Sequence, residues 1–462
     1  MKPAELIDRE AEWGALDRAW SEAVAGRPQL VVVWGRRRVG KTYLLSEFVH
    51  GKRAVFFGAT QQSESVELSR LTETVRRSLG DQVADLAGGG FTSWEAALRF
   101  FAALAVEEPL VVVLDEVPYL ARSTPGFASI IQVVWDHLRP GTRLMLAITG
   151  SAVGAIEQML GAGTALRGRP ALRLRLDPLD PLAARAFLPA LAPVSFMEAY
   201  AACGGYPLHL LAWNQDADTS ENLLTLAASP GGILLEDAAG MLREELSDVG
   251  GYSRVLGAIG RGRTRYSAIA SEAQQRIEHA LDVLVSAGFV RKALPVGAPK
   301  GARPDYEIDD PYLAFWFGVL YSSLPEIETR QGPAVLSRVE PAWQRHLGAV
   351  FEEAARTHAR RLIERGDLPT DLVVGRWWAS SGEACEVDVL GLRGNRTHLL
   401  GEARWQRRPL DGRDLEALRR KVTRVPQPDE APIYALWGRG GVTPEVLRAG
   451  ALGFDLKAVL ER

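Results

Sequence analysis

Leu30-Val31-Val32-Val33-Trp34-Gly35-Arg36-Arg37-Arg38-Val39-Gly40-Lys41-Thr42 is the stretch on which the reading of the whole chain turns. Its first five residues form an apolar run with the length of a buried strand, Gly35 breaks it, and Tyr43-Leu44-Leu45-Ser46-Glu47-Phe48 continues with helical spacing. Strand, glycine turn and helix enclose the pattern G-x-x-x-x-G-K-T. Such a loop lets successive backbone N–H groups curl around phosphate oxygens, and the following helix adds the positive end of its dipole. Gly35, Arg36, Arg37, Arg38, Val39 and Gly40 are the expected cradle. Lys41 is expected to reach the β/γ-phosphates and Thr42 to ligate Mg²⁺, with Tyr43 following on the first helical turn. Only seven residues of the chain are lysines, and one stands where a compact, mobile ammonium is needed rather than a guanidinium fork.

A second apolar run, Leu110-Val111-Val112-Val113-Leu114, ends in Asp115-Glu116 and reads as a buried parallel strand of Walker B type. Asp115 is expected to hold Mg²⁺ through water, and Glu116 to orient and polarise the attacking water. A third, Leu144-Met145-Leu146-Ala147-Ile148, ends at Thr149-Gly150-Ser151, which makes Thr149 and Ser151 candidates for a polar sensor of the γ-phosphate. Ala54 to Ala59 supplies another strand. Chemically these residues imply an enzyme that hydrolyses a nucleoside triphosphate.

Composition bounds the rest. The 462 residues are 47% hydrophobic and 24% charged with a net charge of −3, an ordinary globular balance with room for several domains. Overall charge therefore does not call for a polyanionic partner, although segments do. Two cysteines, Cys203 and Cys385, make no disulfide framework, and the first residues lack an apolar leader core, so a cytoplasmic location is expected. No apolar run approaches the roughly 18 residues of a membrane span.

Residues Tyr252 to Arg303 give two short helical patterns and a longer one, and Gly288-Phe289-Val290-Arg291-Lys292 and Tyr306-Glu307-Ile308 follow as strands. Three helices and a β-hairpin is the winged helix-turn-helix order, and basic residues outnumber acidic ones there. Arg276 is expected on the recognition helix, with Lys300 and Arg303 in the wing. A protein-docking role for the same fold stays open. Asp310-Pro311-Tyr312-Leu313-Ala314-Phe315-Trp316-Phe317 reads as a core helix. From Gly348 onward the order is α-β-β-β-α-β, with Asp388 fourteen residues before Glu402-Ala403-Arg404. Carboxylates on adjacent strands are what a Mg²⁺ site for phosphodiester chemistry needs, with Glu352 and Glu386 as helpers. Arg404 cannot give up its proton and so cannot be a base, though it can stabilise a charged phosphate. Lys421 on the next helix is a candidate substitute. Arg393 to Arg424 holds ten Lys/Arg against four Asp/Glu, a basic face suited to nucleic acid.

The loop, Asp115-Glu116-Val117-Pro118-Tyr119-Leu120, Thr149-Gly150-Ser151-Ala152-Val153-Gly154 and Gly204-Gly205-Tyr206-Pro207 together resemble the archaeal-type ATPase family, a STAND-like branch of the AAA+ superfamily. The resemblance implies ATP as the nucleotide, with Pro207 in a helical lid touching the adenine. Leu6-Ile7-Asp8-Arg9-Glu10-Ala11-Glu12 resembles the acidic box that closes over it. Arg167 and Arg169 fall where the family has a basic loop, and the C-terminal part is similar to PD-(D/E)XK nucleases, with Arg404 departing from the motif lysine.

The expected fold is therefore α/β and multidomain: a P-loop ATPase core (1–176), a helical lid (177–250), a winged helix (251–309), a helical connector (310–345) and a restriction-endonuclease-like domain (346–462). ATP, Mg²⁺ and DNA are the expected partners, and an oligomer is compatible with the family. The alternative is a STAND-type switch or scaffold for a protein partner, with an inactive nuclease fold.

Overall fold

The structure, a computed structural model, describes residues 2–86, 88–246, 248–379 and 384–461. It forms two compact units, Met1–Pro178 with Met241–Ser247, and Leu179–Gly240 with Asp248–Arg462.

The first unit is built on five parallel strands, β1 (Gln29–Trp34), β2 (Ala54–Gly58), β3 (Leu110–Asp115), β4 (Leu144–Gly150) and β5 (Leu172–Arg175), in the order β2-β3-β4-β1-β5. Parallel strands covered on both faces need apolar residues at every position, which is why β1, β3 and β4 read as unbroken apolar runs. Leu30 to Val33 and Leu110 to Leu114 have no solvent exposure. Trp94 and Phe101 of helix Trp94–Glu107 pack in the same core with Phe127, and the Ser93 hydroxyl caps that helix by accepting the Ala96 N–H. Edge strand β5 was not anticipated. Its sequence, Leu-Arg-Leu-Arg, alternates because only one face is covered. In register, Trp34 lies beside Gly150, and Gly58 beside Asp115, so Asp115 and Thr149 share the carboxyl edge of the sheet with the loop that follows β1. Ligands of open parallel sheets bind at that edge.

The second unit opens with helices Pro181–Arg185, Pro193–Cys203, Pro207–Ala212 and Thr219–Leu226. Helices Val249–Gly260, Tyr266–Ala273 and Glu278–Ser286 follow, then the antiparallel pair β6 (Val290–Ala293) and β7 (Asp305–Ile308). Arg276 precedes the third helix instead of riding on it. The exposed positions of that helix include Glu278, His279 and Asp282. The aromatic segment is buried: the Tyr312 hydroxyl donates to Leu234 O at 2.9 Å and Trp316 Nε1–H to Leu235 O at 3.0 Å, so both polar tips are satisfied in the core.

A single helix of 34 residues, Gly332–Arg365, runs through the boundary expected at 345/346. Pro341 lies inside it without ending it. The helix packs on a second sheet of β8 (Val373–Trp378), β9 (Glu386–Arg393), β10 (Arg396–Arg404), β11 (Pro428–Gly438) and β12 (Leu452–Asp455), in the order β12-β11-β10-β9-β8. β8-β9 and β9-β10 are antiparallel, while β10-β11 and β11-β12 are parallel, with helix Gly412–Arg420 in the crossover from β10 to β11. β12 extends the expected strand order by one. No helix among the described residues is long and apolar enough to cross a membrane.

Candidate nucleotide and carboxylate sites

In the first unit the loop between β1 and helix Lys41–Val49 has the backbone that G-x-x-x-x-G-K-T predicts. Gly35 has φ +154°, and a Cβ there would meet Leu176 O at 2.1 Å, so no other residue fits. Arg38 and Gly40 also have positive φ. Lys41 is 4% exposed. Its three N–H donors go to Gly35 O at 2.8 Å, Arg36 O at 3.0 Å and Ser151 Oγ at 2.8 Å. Burial lowers its pKa, opposed by the charges of Glu116 and Asp115. Arg37, exposed on the loop, pairs with Glu244, while Val39 is buried and Tyr43 is 45% exposed.

The Walker B end is equally ordered. The Thr42 hydroxyl donates to Asp115 Oδ2 at 2.8 Å, and the Thr149 hydroxyl donates to Asp115 Oδ1. The Glu116 N–H donates to Thr149 Oγ1 at 3.3 Å, and Glu116 itself sits at φ 59°. Its carboxylate takes both the N–H of Ser151, at 2.9 Å, and the Ser151 O–H. Thr42 and Asp115 thus bring two hard oxygen donors together, a set that fits Mg²⁺. Arg9 ties the N-terminal segment to the loop by donating to Val39 O at 3.4 Å and to Asp177 O at 2.7 Å. Arg169 is held by both oxygens of Asp136, and Arg167 is exposed.

Sequence reasoning did not foresee Glu244 and Glu245. Glu244 pairs with Arg37, and the Glu245 carboxylate accepts the Val153 and Gly154 N–H groups at the start of helix Val153–Leu160. Nothing local marks them, because their partners lie far away in sequence. Pro207 opens helix Pro207–Ala212 in the second unit. Just before it, a Cβ on Gly205 would meet Leu179 O at 1.9 Å, so the Gly-Gly-Tyr-Pro turn is fixed by that close approach. The Tyr206 hydroxyl donates to Asp310.

In the second unit, backbone pairing of β9 with β10 stops at Val389 and Gly401. Beyond that point the Asp388 carboxylate takes the Ala403 N–H at 2.9 Å, so the side chain stands in for the missing rung. Glu352, from the long helix, Glu386 and Asp388 each offer an oxygen within 4.8 Å of the others, a hard-donor set that suits Mg²⁺. Burial raises the pKa values of Glu352 and Asp388, and neighbouring carboxylates raise them further. Glu402 stands between two cations: Arg404 pairs with Oε1, and Lys421 Nζ lies 2.6 Å from Oε2. These groups line one cavity of about 410 Å³ together with Arg420 and Arg424.

A parallel β2-β3-β4-β1-β5 sheet with a G-x-x-x-x-G-K-T loop and an Asp-Glu strand end defines a P-loop ATPase core. Comparison with known proteins agrees. Residues 6–212 match a family described as an ATPase domain predominantly from Archaea, and residues 316–418 a family of archaeal and bacterial proteins of unknown function. An uncharacterized protein of Methanocaldococcus jannaschii is 25% identical over 98% of this chain and 99% of its own length. An uncharacterized ATP-binding protein of the same organism is 38% identical over 48 residues, covering 10% of this chain and 76% of the relative. A Walker-type ATPase of Pyrococcus abyssi superposes with a TM-score of 0.51 at 18% identity, over 68% of this chain and 97% of that one. The match over residues 6–212 and the P-loop fold support an archaeal-type ATPase domain that binds and hydrolyses ATP.

Proposed function

We propose that this protein couples Mg²⁺-dependent ATP hydrolysis to work on DNA. In the first unit Lys41 binds the β/γ-phosphates, Thr42 and Asp115 hold Mg²⁺, Thr149 senses the γ-phosphate and Glu116 orients the attacking water. Pro207 is the residue to which the family resemblance assigns the adenine. In the second unit Asp388, Glu402, Glu352 and Glu386 are the residues that would hold Mg²⁺, which supplies charge neutralisation at a scissile phosphate. Lys421 takes the place of the lysine that Arg404 replaces on β10, and Arg404, Arg420 and Arg424 face the backbone phosphates. One observation carries the DNA reading: the carboxylates and Lys421 line a single cavity, although they come from the long helix, two strands and the turn after helix Gly412–Arg420.

ATP turnover with Mg²⁺, measured with and without single- and double-stranded DNA while the integrity of that DNA is followed, tests the reading. Stimulated turnover with cut DNA supports it. Turnover indifferent to DNA that stays intact and unbound supports the second reading, an ATP-dependent switch for a protein partner. That reading has its own observation, since Glu278 and Asp282 are exposed on helix Glu278–Ser286 and give it an acidic face, unsuited to phosphate contact.

A further inference from the structure

We infer that Arg376 is a built-in countercation of the carboxylate cluster, and that the β6–β7 hairpin, gripping it through Glu307, sets how hard it competes with a divalent cation for Glu386. This rests on the Mg²⁺ reading of the second-unit carboxylates and adds to it a positioning residue and the element that regulates it.

Arg376 divides its guanidinium between two carboxylates: Nη1 donates to Glu307 Oε1 at 2.6 Å and Nε to Glu386 Oε1. Glu386 is one of the three groups whose oxygens lie within 4.8 Å of one another, and the charge of Arg376 reaches a second of them, Glu352. Glu307 on β7 faces Arg291 on β6 in register, and the Arg291 guanidinium donates to Glu307 Oε2 at 2.9 and 3.1 Å. Each oxygen of Glu307 thus has its own arginine. The backbone is held as well. The Val296 N–H, in the loop between β6 and β7, donates to Arg376 O at 2.9 Å, and Val296 packs on the core of the second sheet. A Cβ on Gly375 would meet Val296 Cβ at 3.0 Å, so the loop lies directly on edge strand β8. Pairing of β8 with β9 slips by one residue between Gly375 and Trp377. Arg376 therefore stands on a bulge, a device that re-aims one side chain out of the strand's alternation.

Guanidinium and divalent cation are rivals for Glu386: an oxygen engaged in a charge-assisted hydrogen bond has to give it up, or share it, to ligate a metal. Glu307 moderates the rivalry by drawing the guanidinium toward the hairpin. A hairpin that leaves β8 takes Glu307 with it and hands Glu386 to Arg376 alone, so it changes the metal affinity of a cluster to which it contributes no ligand. The test is equilibrium Mn²⁺ binding by the nucleotide-free full chain, read from the EPR signal of the free ion. The proteins compared are wild type, Arg376→Gln, Arg376→Lys, Glu307→Gln, the double variant Arg376→Gln/Glu307→Gln, and Asp388→Ala. Binding that is lost in Asp388→Ala defines the cluster. There Arg376→Gln should tighten binding about tenfold, the worth of one hydrogen bond to a charged group. Arg376→Lys keeps the charge and should return affinity toward wild type. Glu307→Gln should weaken binding about threefold, as expected of a partly exposed ion pair. The double variant should match Arg376→Gln, because Glu307 acts through the arginine.

Unchanged or weaker binding in Arg376→Gln overturns the inference, and so does an equal loss on replacing Glu307 in both backgrounds, which would be a bulk effect of charge. Should Arg376→Gln unfold, Glu307→Gln is set against Asp305→Asn, a charge lost from the same strand at a residue that accepts from Thr264 instead. A weakening confined to Glu307→Gln then supports the inference, and equal effects, or none, overturn it. Absence of any Mn²⁺ binding that depends on Asp388 overturns the Mg²⁺ reading and the inference with it, whereas Asp388-dependent binding indifferent to Arg376 overturns the inference alone.

Discussion

The nucleotide site and the carboxylate site treat charge in opposite ways. Around Lys41 and Asp115 each charged group has a counterpart: the ammonium is saturated by oxygens, and Asp115 takes two hydroxyl protons. In the second unit three carboxylates crowd one another, and burial and mutual repulsion push Glu352 and Asp388 up. A phosphate loop is satisfied by its own backbone, whereas stacked carboxylates reach low energy only with a proton or a cation between them. The lesson is that a binding site for an anion can be built fully paired, while one for a cation stores repulsion in the protein that carries it.

The sharpest way to break this contrast is at the loop. Lys41→Ala should reduce ATP turnover to background, because Lys41 is the buried ammonium held on the loop's own carbonyls; retained turnover in a steady-state assay would overturn the assignment. Glu116→Gln should cost about a hundredfold or more in kcat while nucleotide still binds, the usual worth of a positioned general base. Comparing kcat with equilibrium affinity checks it. In the carboxylate site the same kind of change should cut two ways. Asp388→Ala should abolish metal-dependent nicking of DNA, so unchanged nicking would point to a contaminant. In chelator above pH 8, Glu352→Gln, which keeps the side chain's size and removes its charge, should stabilise the second unit by roughly 1 kcal/mol through relief of repulsion. A lower unfolding midpoint without metal would deny that the cluster is under strain.

The smallest effect concerns pH. Burial holds His346 and His358 at about 4, below the ordinary 6.5, and the arginines near His358 push the same way. His358 Nδ1 also accepts the Trp437 indole N–H at 3.0 Å, a bond that protonation there would break. Because the folded state resists protons that the unfolded chain accepts, the contribution is intact above pH 6.5 and is lost as pH falls toward 4. Denaturant midpoints measured across that window should decline, and the decline should flatten when both histidines are replaced by glutamine.

Much of this was written locally. The loop, the Asp115-Glu116 strand end and the apolar strands β1, β3 and β4 could be read because a few consecutive residues fix their own backbone and burial. Strand β5 escaped notice because Leu172 to Arg175 is short and half-covered. The long helix was divided at 345/346 because the order of sequence patterns changes from Gly348 onward, while the backbone continues. Lys421 was singled out, but its ion pair with Glu402 depends on how helix Gly412–Arg420 returns the chain to β10. The clasp of Ser151 on Glu116 and the pairing of Glu244 with Arg37 depend on residues brought together only by the folded sheet edge and the chain's return. No spacing rule carries them.

The unbroken helix Gly332–Arg365 has a mechanical consequence. At 1.5 Å per residue it is a rod about 50 Å long. Near its first half Trp343 and His346 lie against Phe315, and near its second half it carries Glu352 to the carboxylate oxygens of Glu386 and Asp388. An α-helix is stiff along its axis, so a push on the aromatic end reaches Glu352 as displacement, with little lost to compression. Pro341 removes one rung of the ladder and is the natural point of bending. Beyond it the shaft is continuous, so the carboxylate and the aromatic cluster move as one piece.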